Sequence, residues 1–142
     1  MKLKWFACPV GHVRRYLLNV SIDLHDQRAF CGTRSGDFLE FSIPKGIFER
    51  QGPVDKKLPG AINQIVSCFN DLYVGSQDGT FARLDKRTML TKGKVNYPNQ
   101  GIMALTYSKS KIYSITDTST VRSLQEDAPI DFNTIFMQGH FA

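Results

Sequence analysis

The feature that most restricts the fold of this sequence is an internal repeat. Residues 29–42, 72–85 and 112–125 can be aligned with one another without a gap, at intervals of 43 and 40 residues. Four columns of the alignment each keep one residue type. They are the aromatic column Phe30, Tyr73 and Tyr113, the hydroxyl column Thr33, Ser76 and Thr116, and the apolar columns Phe38, Phe81 and Val121, and Phe41, Leu84 and Leu124. Because several columns agree in one register, the sequence is built from repeated structural units.

Each repeat predicts two short strands joined by a tight turn. The turns fall at residues 34–37, 77–80 and 117–120, and the Asp78-Gly79 pair is the strongest hairpin signal of the sequence. The apolar residues show no long helical periodicity. The sequence therefore predicts a β-hairpin at the centre of every unit.

Further strands are predicted on both sides of the hairpins. One strand precedes each hairpin, at residues 18–24, 61–69 and 101–108, and others lie at residues 89–95 and 132–137. The segments 61–69 and 101–108 are almost continuously apolar, which predicts strands that are covered on both faces. Four strands in a unit of about 40–45 residues is the pattern of a WD-repeat blade. We therefore predict an all-β WD-repeat β-propeller of about three consecutive four-stranded blades, which is an incomplete ring.

Two Gly-His dipeptides, which WD repeats place shortly before an inner strand, indicate the blade boundaries. Gly11-His12 and Gly139-His140 lie about three repeat units apart. One domain is predicted over residues 1–142, with blades at 11–58, 59–97 and 98–138 and with residues 1–10 as the outer strand of a preceding blade. The residues predicted to support the blade structure are His12, Gly32, Gly36, Asp78, Gly79 and His140.

Three blades are too few to close a ring. Propellers close with roughly four to eight blades, and each blade buries its faces only against its neighbours. We expect either that the sequence is a piece of a longer chain or that a second polypeptide completes the ring. The first alternative is favoured because the sequence stops directly after Gly139-His140.

The composition is that of a globular protein, with 42% hydrophobic and 22% charged residues. No stretch approaches about eighteen consecutive apolar residues, so a membrane-spanning helix is not expected. The three cysteines, Cys8, Cys31 and Cys68, form no Cys-x-x-Cys pair, which indicates a reducing intracellular compartment. The net charge of +5 favours an acidic partner, but charge alone does not choose among nucleic acid, acidic protein and membrane.

No catalytic, cofactor-binding or metal-binding motif is present in the sequence. The segment 32–37 has the glycines of a phosphate-binding loop, but Asp37 stands where the lysine is required. The sequence contains no Gly-x-Ser-x-Gly motif, and its histidines, His12, His25 and His140, are too scattered for a metal site. We therefore predict a protein that is not an enzyme and that binds no cofactor or metal.

The candidate contact residues are the basic pairs Lys56-Lys57 and Lys86-Arg87. Both pairs lie in or beside predicted connections between strands, so we expect them to be exposed. The simpler interpretation of either pair is an ordinary solvated surface, and the functional one is contact with phosphate or with an acidic protein. Nucleic-acid recognition would add a known module or exposed aromatic residues, and neither is evident. Neither nucleic acid nor membrane is therefore predicted as a partner.

One run of residues is more specific than a general WD repeat. Residues 30–42, Phe-Cys-Gly-Thr-Arg-Ser-Gly-Asp-Phe-Leu-Glu-Phe-Ser, follow Val-Gly-His-Val-Arg-Arg at 10–15. Together they resemble the second propeller of the cilia- and flagella-associated protein 52 family of WD-repeat proteins. Residues 72–79 and 137–141 are similar in kind. The resemblance extends over nearly all of this sequence and over a minority of the family's length.

The resemblance implies a microtubule inner protein of the ciliary or flagellar axoneme. Such a protein lies in the B-tubule of doublet microtubules near the inner junction, where it binds luminal α/β-tubulin and neighbouring microtubule inner proteins and stabilises the doublet. Under this hypothesis the tubulin contacts are Lys56, Lys57, Lys86 and Arg87. The alternative is a general WD-repeat adaptor of the cytoplasm or nucleus, which explains the repeat equally well.

Overall fold

A computed structural model describes residues 16–23, 25–126 and 135–138, and all regular structure in these residues is β-strand. The strands are β1 Leu17–Asp23, β2 Arg28–Thr33, β3 Phe38–Ser42, β4 Ile47–Gly52, β5 Ile62–Ser67, β6 Asp71–Ser76, β7 Thr80–Asp85, β8 Thr91–Asn96, β9 Ile102–Ser108, β10 Lys111–Thr116, β11 Thr120–Gln125 and β12 Ile135–Gln138.

The strands form three antiparallel sheets of four strands each, and each sheet keeps its strands in chain order. Sheet A contains β1 to β4, sheet B contains β5 to β8, and sheet C contains β9 to β12. This arrangement confirms the predicted fold class, with three consecutive four-stranded blades in an open array. The strand β4 was not predicted from the sequence.

The sheets pack face to face in the order A, B, C, with the inner strands β1, β5 and β9 side by side. Sheet A turns Phe30 and Phe38 toward sheet B, where they join a buried apolar cluster. Sheet B turns Tyr73 and Phe81 toward sheet C in the same way. Two columns of the repeat therefore form the surface that each of these sheets presents to the next sheet.

The hydroxyl column of the repeat stabilises the hairpin turns. The hydroxyls of Thr33 and Ser76 donate hydrogen bonds to the carboxylates of Asp37 and Asp78 in the turns that follow them. The hydroxyl oxygen of Ser76 also accepts a hydrogen bond from the backbone amide of Thr80 at 3.2 Å. A hydroxyl at this position supplies partners to turn groups that would otherwise lack them, which explains why the type of residue recurs.

The aligned glycines Gly32 and Gly75 admit a side chain of the next sheet. A Cβ atom at Gly32 would lie 2.7 Å from Ile62 Cγ2, and one at Gly75 would lie 2.4 Å from Ile102 Cγ2. Both distances are shorter than non-bonded carbon atoms tolerate. The two interfaces between sheets therefore depend on the absence of a side chain at these positions.

The burial predicted for the two apolar segments fails in part, and Phe69 at the end of residues 61–69 is 74% exposed. Residues 101–108 were expected to be covered on both faces, but Met103, Thr106 and Tyr107 of β9 are exposed. Among the described residues, sheet C packs against another sheet on one face only, so an apolar sequence does not ensure burial there. The predicted roles of His12 and His140, and the strand at residues 1–10, lie outside the described residues.

Candidate functional site

Lys56 and Lys57 lie in the segment that connects sheet A to sheet B, and both are exposed as predicted. The ammonium of Lys57 is 3.8 Å from Asp37 Oδ2, beside the turn between β2 and β3. The adjacent backbone amide of Leu58 donates a hydrogen bond to the carbonyl oxygen of Gly36 at 2.9 Å, which anchors this segment to the same turn. The lysine pair is therefore held near one end of sheet A.

Lys86 and Arg87 lie in the turn between β7 and β8, where their environments differ. Arg87 is exposed, as expected. The side chain of Lys86 is only 13% exposed, so the prediction that it is freely accessible is wrong. Its ammonium lies 2.8 Å from Asp23 Oδ2 and 3.3 Å from Asp26 Oδ2. Lys86 is therefore engaged in linking sheet B to sheet A.

The structure does not bring the two basic pairs together. Lys57 lies beside the turn that follows β2, whereas Lys86 contacts Asp23 and Asp26, which precede β2. Because β2 runs from one of these places to the other, the pairs lie at opposite ends of the sheets. A partner with a flat surface can therefore contact one pair at a time, and the four residues do not form one patch.

A charged cleft of about 610 Å³ lies between sheets A and B at the end occupied by Lys86. One of the residues that line it is Arg50, whose guanidinium donates to the Glu40 carboxylate at 2.6 and 3.2 Å. The same guanidinium donates to the backbone carbonyl oxygens of Arg87 and Lys86 at 2.6 and 2.9 Å. Arg50 thus fastens sheet A to the turn of sheet B, and charged side chains line much of the cleft.

Sequence reasoning missed Arg50 because it missed β4. Glu40 and Arg50 lie directly opposite each other in the pairing of β3 with β4. Opposite charges at facing positions of neighbouring strands are a recognisable stabilising pair. Once residues 47–52 are placed as a strand, the sequence contains the signal for this ion pair, although not for its contacts with sheet B.

Besides Arg50, the Asp23 carboxylate links sheet A to sheet B. It accepts hydrogen bonds from the ammonium of Lys86 at 2.8 Å and from the hydroxyl of Ser67 at 2.6 Å. Burial alone would raise the pKa of Asp23, but the hydrogen bonds from Lys86, Ser67 and the backbone amide of Asp26 outweigh burial. The pKa of Asp23 consequently falls from 3.8 to about 2.

This pKa predicts a loss of stability in acid. Because the folded pKa of Asp23 lies below its unfolded value, its ionisation stabilises the fold above about pH 4, and this contribution disappears as the pH falls from 3.8 to about 2. We expect a contribution of at most about 2 kcal/mol to the free energy of unfolding. Urea unfolding of the wild type and Asp23→Asn between pH 2 and 5 measures it. The free energies of unfolding of the two proteins should differ at pH 5 and converge near pH 2. A difference that stays constant over this range would contradict the lowered pKa of Asp23.

The predicted blade-structural residues that are described lie in turns and at the sheet interface. Gly36 and Gly79 have φ angles of +92° and +97°, which residues other than glycine rarely adopt. The Asp78 carboxylate accepts hydrogen bonds from the backbone amide and the hydroxyl of Thr80 at 3.2 and 3.0 Å. Gly32 admits Ile62 of the next sheet.

The described part of the chain has no group of three or more histidine, cysteine, aspartate or glutamate residues placed to hold a metal ion. Nor does any helix in that part have the length and apolar character needed to cross a membrane.

No protein-family model matches the chain. A curated relative, cilia- and flagella-associated protein 52 of Chlamydomonas reinhardtii, is 28% identical over 95 residues. The aligned part is 66% of this chain and 15% of the relative, so the chain corresponds to a small part of the relative's length. The resemblance inferred from the repeat residues is thereby confirmed, and the chain is similar to a cilia- and flagella-associated protein.

Several solved structures have a similar fold. The computationally designed Ika4 protein matches with a TM-score of 0.74 and 15% identity over 98% of this chain and 80% of its own. The designed Ika8 protein matches with a TM-score of 0.68 and 17% identity, over 84% of this chain and 36% of its own. A chain of the mitotic checkpoint complex matches with a TM-score of 0.70 and 14% identity, over 80% of this chain and 35% of its own. At these identities the likeness shows the fold alone.

Proposed function

We propose that the chain is a non-catalytic structural component of the ciliary or flagellar axoneme. In this proposal it is a microtubule inner protein that binds the luminal surface of doublet microtubules, in the B-tubule near the inner junction, and stabilises them. Its partners are α/β-tubulin and neighbouring microtubule inner proteins. The observation that carries the proposal is the similarity to a cilia- and flagella-associated protein.

The fold and the charge are compatible with this role. A propeller blade is a rigid support that presents its connections to partners, and its interior here is filled by apolar side chains. Tubulin is acidic, and a chain with a net charge of +5 is attracted to an acidic surface. Of the candidate residues, Lys56, Lys57 and Arg87 have exposed side chains that a partner can reach.

Localisation tests the proposal. An epitope-tagged chain is expressed in ciliated cells, and isolated axonemes are extracted with increasing salt. We expect the tagged chain to stay with the doublet microtubules when soluble axonemal proteins have been released. A diffuse cytoplasmic or nuclear signal, with no tagged chain in the axonemes, would contradict the proposal and favour the general WD-repeat adaptor.

A charge-reversal variant tests the contact surface. Replacing Lys56 and Lys57 with glutamate should weaken binding to doublet microtubules about tenfold, because two attractive charges become repulsive. The matched control replaces the exposed residues Lys109 and Lys111, so that the net charge changes equally at another place. If both variants bind doublet microtubules equally well, Lys56 and Lys57 are not part of the contact surface. Lys86 is less suitable than Lys57 for the test, because it is only 13% exposed and lies 2.8 Å from Asp23, whereas Lys57 is 50% exposed and lies 3.8 Å from Asp37.

A further inference from the structure

Sheet B presents an apolar pair of residues to sheet A. Val74 and Ala82 lie opposite each other in the pairing of β6 with β7, and both belong to the buried cluster that sheets A and B share. Leu58, in the connection that leads from sheet A into sheet B, belongs to the same cluster. Separation of the two sheets would expose these hydrocarbon side chains to water, which opposes opening of this interface.

Sheet C has a polar pair at the same two positions. Ser114 and Arg122 align with Val74 and Ala82 in the repeat, and they lie opposite each other in the pairing of β10 with β11. The exposed fractions of Ser114 and Arg122 are 1% and 7%. Sheet C therefore buries a hydroxyl and a guanidinium where sheet B buries two hydrocarbon side chains.

The buried guanidinium of Arg122 is only partly satisfied. Its Cζ lies 4.0 Å from the centroid of the Tyr97 ring, and its Nη2 donates a hydrogen bond to Gln100 Oε1 at 2.9 Å. Among the described residues, its Nη1 and the hydroxyl of Ser114 have no hydrogen-bond partner, and no carboxylate forms an ion pair with Arg122. Water would solvate both groups if the sheets separated, so these groups favour opening of the interface.

The connection between sheets B and C is divided between the two sheets. The amide of Tyr97 donates to a carbonyl oxygen of the turn between β6 and β7 at 2.9 Å, and the amide of Gln100 donates to the carbonyl oxygen of Tyr97 at 3.1 Å. Both residues are thereby held on sheet B. The carbonyl oxygen of Gly101 accepts from the amide of Asp117 at 3.0 Å, so Gly101 is held on sheet C. Movement of sheet C would therefore flex the chain near residues 100–101 and break the contacts of Arg122.

We propose that the joint between sheets B and C is a hinge built into the fold. Sheet C swings away from sheet B as a unit while sheets A and B stay packed, and the stack of Arg122 on Tyr97 is the latch that closes the joint. The proposal rests on the unpartnered donors of Ser114 and Arg122 and on the aligned apolar pair of the other interface. Hydrogen bonds of Arg50 and Asp23 also fasten sheets A and B to each other. The hinge does not depend on the axonemal role.

Hydrogen exchange of the backbone amides, followed by mass spectrometry under native conditions, measures the opening of each sheet. Within the described part of the chain, sheets A and C each pack against one neighbouring sheet, which is sheet B. We expect the protection factors of β10 and β11 to be at least about tenfold lower than those of β2 and β3, because local opening exposes amides without global unfolding. Equal protection of the two sheets would contradict the hinge.

Two changes at Arg122 separate its charge from its stack. Arg122→Met with Ser114→Ala keeps apolar volume but removes the donors that water would solvate, so the protection factors of β10 and β11 should rise at least about tenfold. Arg122→Lys keeps the charge and loses the planar stack, so the same protection factors should fall. Arg87→Met, which removes an exposed arginine of sheet B, is the control and should change neither sheet.

Each outcome decides the proposal. If the double variant keeps the circular dichroism of the wild type but β10 and β11 gain no protection, the polar pair does not cause opening and the hinge is wrong. If Arg122→Lys leaves the protection unchanged, the stack on Tyr97 is not the latch. Should the double variant fail to fold, Arg122→Met alone is measured in its place and must meet the same expectation. If neither variant folds, Arg122 stabilises a closed joint, and the proposal is overturned.

Discussion

Gly75→Val is expected to lower the free energy of unfolding by about 3 kcal/mol, the upper part of the range for an overpacked interior. A Cβ atom at this position would lie 2.4 Å from Ile102 Cγ2 and 2.9 Å from Ile102 Cβ. Ile102 is fully buried, and its branched side chain has little rotational freedom with which to move away. The sheets must therefore separate locally. Urea denaturation at constant protein concentration measures the change.

Two further variants make this prediction specific. Ile115→Val changes the aligned position of sheet C, where the side chain is half exposed, and should cost less than about 0.5 kcal/mol. Combining Gly75→Val with Ile102→Ala removes the opposing atoms, so the double variant should lose less stability than the sum of the single losses. If the losses of the two single variants add strictly, contact between residues 75 and 102 is not the cause of the destabilisation.

Arg50→Met is expected to cost about 3 kcal/mol, because it leaves a buried carboxylate without its principal partner. The Glu40 side chain is 4% exposed, and among the described residues the basic neighbour that remains after the change is Arg28, whose Nε lies 3.7 Å away. The substitution also removes the donors to the carbonyl oxygens of Lys86 and Arg87. Methionine keeps the length of the apolar stem, so the loss reports on the guanidinium. Urea denaturation and the thermal midpoint provide the measurement.

Arg87→Met is the matched control for Arg50, since Arg87 is exposed and contributes a backbone carbonyl that the substitution leaves in place. We expect it to change stability by less than about 0.5 kcal/mol. Adding Glu40→Gln to Arg50→Met removes the isolated charge and should recover part of the loss. Equal stability of the Arg50 and Arg87 variants would show that Arg50 does not fasten the sheets.

Much of the fold was predictable because blade structure is local. The hairpins at residues 29–42 and 72–85 follow from alternation, turn residues and repetition, and the structure has strands at both. The strand β4 escaped prediction because Ile47–Gly52 has few apolar residues and lies outside the aligned repeat. The prediction that residues 101–108 are covered on both faces failed. Apolar residues show that a strand can be buried, but its actual burial depends on which sheets pack against it.

The candidate site was less predictable. The sequence indicated that Lys86 and Arg87 lie beside a connection, and their positions in the turn between β7 and β8 agree with this. It did not indicate that Lys86 binds Asp23, a residue 63 positions away that belongs to another sheet. Nor did it indicate that Lys56 and Lys57 lie at the opposite end of the sheets from that contact.

By itself, the sequence determined the repeat unit, most of the segments that become strands and the residues that form the hairpin turns. Its period and alternation encode these properties, and they act within one blade. The tertiary structure alone decided which charges are paired across sheets, that Arg50 holds the turn of sheet B, and that Ile115 occupies a space that glycine leaves open elsewhere. The physical reason is that these contacts join atoms of different sheets. Their distances depend on how whole sheets are stacked, and no pattern within a single repeat contains that information.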